Sequence, residues 1–195
     1  MEQERLPSAV AKVGELGLSG LAPVLVTMLE DDVLERVAGH SLEVLGVAGL
    51  LAIQRALPVL FDRAQSGVRG RLAVIRALIV LYHMKNGMPA WLVRRAHEDA
   101  HPAIRAAGAL FVNSTSREHT VDLVHGALSD DTALAGICRE RLAEPSPDFA
   151  TVALKVLQRD VEPDIYGNRR RLPKEASRWL ASEIQKRAAL ADTAS

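Results

Sequence analysis

Apolar residues in this chain recur at three- and four-residue intervals, and short polar or Pro/Gly turns cut them into helix-length segments. The spacing predicts helices over 8–15, 21–30, 33–45, 50–64, 68–84, 89–98, 102–112, 118–128, 131–143, 147–158 and 174–190. Four of the second segments carry an apolar pair eight residues apart: Val37 and Leu45, Leu72 and Val80, Ile104 and Val112, Leu134 and Leu142. Their first members are 35, 32 and 30 residues apart. A repeat of that length made of two helices is the signature of an α-solenoid, a fold that offers an extended surface for binding.

The turns have their own chemistry. Asp31-Asp32 and Asp130-Asp131 occupy equivalent turns, each two residues after a leucine. Pro89, Pro102, Pro147 and Pro173 stand at predicted helix starts, where a missing N–H costs nothing. In Ser146-Pro147-Asp148 a capping hydroxyl precedes the proline and an acid faces the positive helix end. Pro23 and Pro58 fall in equivalent Leu-x-Pro-Val-Leu and Leu-Pro-Val-Leu contexts.

With these pieces, and with Leu45-Gly46 and Asp99-Ala-His-Pro-Ala-Ile-Arg105, the chain over roughly 19–160 resembles the HEAT-repeat family. The resemblance implies an all-α, HEAT-like α-solenoid of about five antiparallel helix pairs, stacked into one curved superhelical domain over 1–190. A long loop over 161–173 then precedes a C-terminal capping helix with Trp179, Leu180 and Ile184 on one side, and 191–195 forms a disordered tail. It also implies a scaffold or adaptor.

Hydrophobic residues make up 48% of the 195 and aromatics only 4%, so the core rests on Leu, Val, Ile and Ala. One cysteine, Cys138, has no disulfide partner in the chain and reads as a small buried hydrophobe. The start, Met1-Glu-Gln-Glu-Arg, is acidic and lacks the apolar run of a signal peptide. The uncharged stretch 44–53 is too short to span a membrane. The expectation is a cytoplasmic protein with no membrane insertion and no cofactor. Periodicity leaves open whether 44–53 is interior or faces another chain.

The net charge is zero, but the charges are segregated. Residues 1–64 are net −4, residues 65–117 net +6, residues 118–160 net −4 and the remainder net +2. Second helices line the concave face of HEAT-like stacks, which makes Arg36, Arg69, Arg71, Arg76 and Arg105 candidates for a basic groove. The loop adds Tyr166, Arg169, Arg170 and Arg171, residue types enriched at binding hot spots. These features predict a non-catalytic scaffold for a protein partner with an acidic surface or segment. Nucleic-acid binding is the alternative, although aromatic interleaving is absent and the net charge is zero.

One catalytic pattern is present. His97-Glu98-Asp99-Ala100-His101 matches H-E-x-x-H, in which two imidazoles one helical turn apart hold zinc and the Glu acts as base in a zinc hydrolase. Asp99 at a normally uncharged position, Pro102 directly after the second His, and Ile104 where the extended pattern has Gly argue for an interhelical turn instead. His97 and His101 are therefore weak metal candidates, with Glu118 or His119 as a third ligand. The chain carries no glycine-rich phosphate loop and no nucleophile elbow.

Overall fold

The computed structural model describes residues 2–85, 88–112, 116–143, 148–159, 161–163 and 168–193. These residues are helical apart from a short hairpin and the connections. The chain divides into two compact units, Met1–Pro89 and Ala90–Ser195.

The first unit holds α1 (Glu2–Glu15), one turn of 3-10 helix (Ser19–Leu21), α2 (Ala22–Met28), α3 (Glu35–Val44), α4 (Val47–Ala64) and α5 (Val68–His83). Within pairs, α2 packs on α3 and α4 on α5; between pairs, α2 packs on α4 and α3 on α5. An amphipathic hairpin cannot bury its stripe alone, and stacking like helix on like helix supplies the missing cover. Leu25, Leu29, Leu42, Ile53, Leu57, Phe61, Ile75 and Leu78 are fully buried in this unit. The Ser41 hydroxyl, itself buried, donates to the Val10 carbonyl of α1 at 3.0 Å.

The second unit holds α6 (Ala90–His97), α7 (Pro102–Ala109), α8 (Arg117–Ala127), α9 (Thr132–Leu142), α10 (Phe149–Arg159), β1 (Val161–Pro163), β2 (Arg169–Arg171) and α11 (Lys174–Thr193). Here α6 packs on α7, α7 on α8 and α9, α8 on α9 and α10, and α10 on α11. Phe149 is fully buried, with Trp179 edge-on at 6.4 Å between ring centroids.

Most predicted segments match observed helices within a few residues, and the differences have local causes. The opening helix starts at Glu2, six residues earlier than expected, and runs through Pro7. The last helix runs to Thr193, through three residues of the expected tail. Part of the expected loop is antiparallel hairpin, with Val161, Glu162 and Pro163 opposite Arg171, Arg170 and Arg169. The predicted Ser146-Pro147 cap lies outside the described residues.

The apolar pairs are a good guide in the second unit, where Ile104, Leu134 and Leu142 are buried. They are a poorer one in the first. There Val37 and Leu45 are only half-buried, and Ala38 and Leu42 take the core positions. At Gly46 the backbone turns left-handed with φ 56°, ending α3 and letting α4 begin at once.

The repeated aspartates hold the turns. Asp31 Oδ1 accepts from the N–H groups of Val33 (2.8 Å) and Leu34 (3.0 Å). Asp99 Oδ1 accepts from His101 N at 2.8 Å, and Asp131 Oδ1 from Leu134 N at 2.9 Å. Each carboxylate takes a donor that the following helix leaves without an intrahelical partner.

Gly126 of α8 marks the tightest approach in the second unit. A Cβ there would sit 2.5 Å from Cys138 Sγ and 2.7 Å from Ala106 Cβ. Gly126→Ala should therefore lower stability by up to ~2 kcal/mol net, because overpacking of about 1–3 kcal/mol opposes the ~1 kcal/mol gained in helix propensity. Chemical denaturation would measure it, and Gly126→Ala/Cys138→Ala should recover part of the loss. Cys138 itself is fully buried, and burial pushes its thiol far above the usual range. A thiol-alkylating reagent should leave Cys138 unmodified at neutral pH in the native protein and modify it after denaturation.

Candidate functional site

An α-helix leaves its last carbonyls without intrahelical donors, and burying that end requires other donors. Three arginines supply them. Arg76 of α5 donates from Nη1 to the Leu29 carbonyl at the end of α2 (2.9 Å). Arg105 of α7 donates from Nη1 to the carbonyls of Asp99 (2.9 Å) and Ala100 (3.0 Å), just past α6. Arg139 of α9 donates from Nε to Ala127 O at the end of α8 (3.1 Å). A cation at a helix C-terminus also meets the negative end of the dipole.

This changes the reading of the predicted groove arginines. Arg76 is only 9% exposed, and its guanidinium also meets Asp32 Oδ1 at 2.7 Å and Glu35 Oε2 at 3.4 Å. Arg105 is half-buried and pairs through Nε with Asp122 Oδ1 at 3.0 Å. Both guanidinium groups are engaged within the chain, Arg76 by the Leu29 carbonyl and two acids, and Arg105 by the Asp99 and Ala100 carbonyls and Asp122. Arg36 and Arg69 are exposed on α3 and α5, and Arg71 is half-buried. Of the loop candidates, Arg169, Arg170 and Arg171 form β2, with Arg171 exposed; Tyr166 lies outside the described residues.

The H-E-x-x-H helix does not form. The first helix ends at His97, and Pro102 opens the next. His101 is the N-cap of α7, its Nδ1 accepting from Ala103 N at 3.3 Å. His97 meets a different histidine: its Nε2 stands 3.1 Å from Nε2 of His119. Behind the pair, His97 Nδ1 is 3.6 Å from Asp122 Oδ2 and His119 Nδ1 is 2.7 Å from Ser116 Oγ. Asp122 is itself buried and held by Arg105. Burial and, after it, the adjacent His97 hold His119 below the ordinary histidine range, against the opposing pull of Asp122 and Glu118. The pair opens on a cleft of about 500 Å³ lined by these side chains with Glu118 and Val121. Among the described residues no group of three His, Cys, Asp or Glu side chains is placed to hold a metal ion.

The first unit has a second, apolar concavity of about 670 Å³ between α2 and α4. Ala48, Leu51, Ala52, Arg55, Ala56 and Val59 stripe one face of α4 along it, at helical spacing. The opposite face of α4 carries the core residues Ile53, Leu57 and Phe61. Leu51 is 43% exposed and Val59 60% exposed, while Arg55 is an exposed cation midway between them. Glu30 and Arg63 form an ion pair at one end. Sequence reading singled out 44–53 as apolar without deciding its face. Gly49 and Ile53 turn inward, whereas Val44, Val47 and Leu51 are exposed. The helix also continues apolar past the stretch, through Ala56 to Val59, and that double apolar face was the available signal.

Among the described residues no helix is long and apolar enough to cross a membrane. No family model, curated protein sequence or solved structure matches the chain.

Replacing Arg76 by Met should strand the Leu29 carbonyl and cost ~1–3 kcal/mol in a denaturant titration. The exposed Asp32 pairing contributes little to that figure. Arg36→Met, on the open surface of α3, should stay within ~0.5 kcal/mol of the parent.

Proposed function

We propose that this chain is a non-catalytic protein-binding module built of HEAT-like helix pairs. It would hold an amphipathic segment of a partner protein in the apolar trough between α2 and α4. The observation that carries the reading is the α4 stripe: exposed Leu51 and Val59, with half-buried Ala48, Ala52 and Ala56 beside them, on a helix whose other face is already satisfied by the core. A helix laid in a groove is recognised through apolar contacts along one face, and Leu51 and Val59, two turns apart with Arg55 between them, line one face of α4.

Arg55 among the apolar anchors favours a partner segment with a carboxylate on its apolar edge. The acidic partner expected from the sequence is retained, while the contact moves from a basic groove to an apolar trough with one cation. Arg36 and Arg69 add exposed positive charge elsewhere in the same unit. Arg171 does so on the hairpin of the second unit, the part of 161–173 left to add specificity.

The test is a selection from a displayed library of amphipathic helices whose flanking charge varies, run against the whole protein. Enriched peptides should carry acidic residues beside an apolar stripe. They should lose binding at least ~10-fold to Leu51→Asp/Val59→Asp, which leaves the core face of α4 intact and should keep parental helicity. Arg55→Glu should reverse the charge preference. Failure to enrich any helix, or enriched peptides indifferent to the folded double variant, would reject the trough as the binding surface.

A further inference from the structure

The His97–His119 pair has no role in partner binding at the α2–α4 trough, yet it is built with more support than a chance surface contact. Its Nε2 atoms converge at 3.1 Å, with the rings tilted 54° and their centroids 4.7 Å apart. The far nitrogen of His119 meets the Ser116 hydroxyl at 2.7 Å, and that of His97 stands 3.6 Å from the Asp122 carboxylate. Arg105 fixes Asp122 in turn at 3.0 Å and is anchored on the Asp99 and Ala100 carbonyls. Metal-binding histidines characteristically have their second nitrogen held by a carboxylate or another polar group, which sets the tautomer and the ring direction.

Distances decide which ligand suits the pair. Two imidazole–metal bonds of about 2.0–2.1 Å at a tetrahedral angle put the nitrogens about 3.3 Å apart. The observed gap is within a few tenths of an ångström of that bite. Both histidines also line the open cleft, where water can enter.

We infer that His97 Nε2 and His119 Nε2 form a two-imidazole site for a divalent transition-metal ion of the zinc class, with water at the coordination positions that face the cleft. Because no third protein ligand converges among the described residues, the site is open. Its affinity should follow the imidazole order, copper above zinc and cobalt, and it should ignore magnesium and calcium. This is a different pair from the one that H-E-x-x-H spacing suggests, since α6 ends at His97 and His101 stands at the N-cap of α7.

The experiment uses the full chain, free of any affinity tag and stripped with chelator. Zinc titration by calorimetry, with cobalt absorption as the coordination probe, should show one ion per chain. His97→Gln and His119→Gln keep a polar group in place and should each weaken binding at least ~10-fold, whereas His101→Gln should not change it. Asp122→Asn should weaken it less than loss of either ligand.

A second measurement needs no variant. Zinc should suppress diethyl pyrocarbonate labelling of His97 and His119 and leave exposed His40 and His83 unaffected. Binding no tighter than in the His97→Gln/His119→Gln double variant would overturn the site. So would equal loss in His101→Gln, or labelling that zinc leaves unchanged at both histidines.

Discussion

The exposed carbonyls at the end of each first helix are the constraint around which these hairpins are arranged. A helix pair that buries its turn against a neighbour removes those carbonyls from water, and an unpaired buried acceptor costs as much as a lost hydrogen bond. The chain meets this demand with guanidinium groups. Arg76, Arg105 and Arg139 each reach a carbonyl at or just past the end of α2, α6 or α8. Aspartates do the complementary work on the donor side, at Asp31, Asp99 and Asp131. Each helix junction described in these terms has a cation at the outgoing end, an anion at the incoming end, or both.

This arrangement accounts for the charge segregation along the sequence. Part of the basic middle is paired with its acidic flanks. Arg76 from the middle pairs with Asp32 and Glu35 from the first block, and Arg105 pairs with Asp122 from the third. A net charge counted along a segment therefore overstates the potential that a partner meets, because opposite blocks neutralise one another across packed helices. What remains available for recognition is less basic and more apolar than the sequence suggests.

The histidines make a similar point about spacing. His97 and His101 are four apart, which on a continuous helix would bring them to one face. Pro102 ends that possibility by opening a new helix at the next residue, and the chain reversal between α7 and α8 instead brings His119 to His97. Glu118 and His119 could be named from the sequence only as neighbours in the chain. Their approach to His97 depends on the angle at which α8 packs against α7.

The sequence by itself determined the helical class, nearly all helix positions, the aspartate-held turns and the buried, unreactive setting of Cys138. These follow from local periodicity, turn chemistry and composition, and no distant contact is needed to read them. Which arginines are spent inside, which face of α4 is left open, that His97 meets His119, and that 161–171 holds a hairpin were decided by tertiary structure. A side chain's neighbour across a helix interface depends on rotation and crossing angle. Those are set by packing at close approaches such as Gly126, where one added methyl group would meet Cys138 and Ala106.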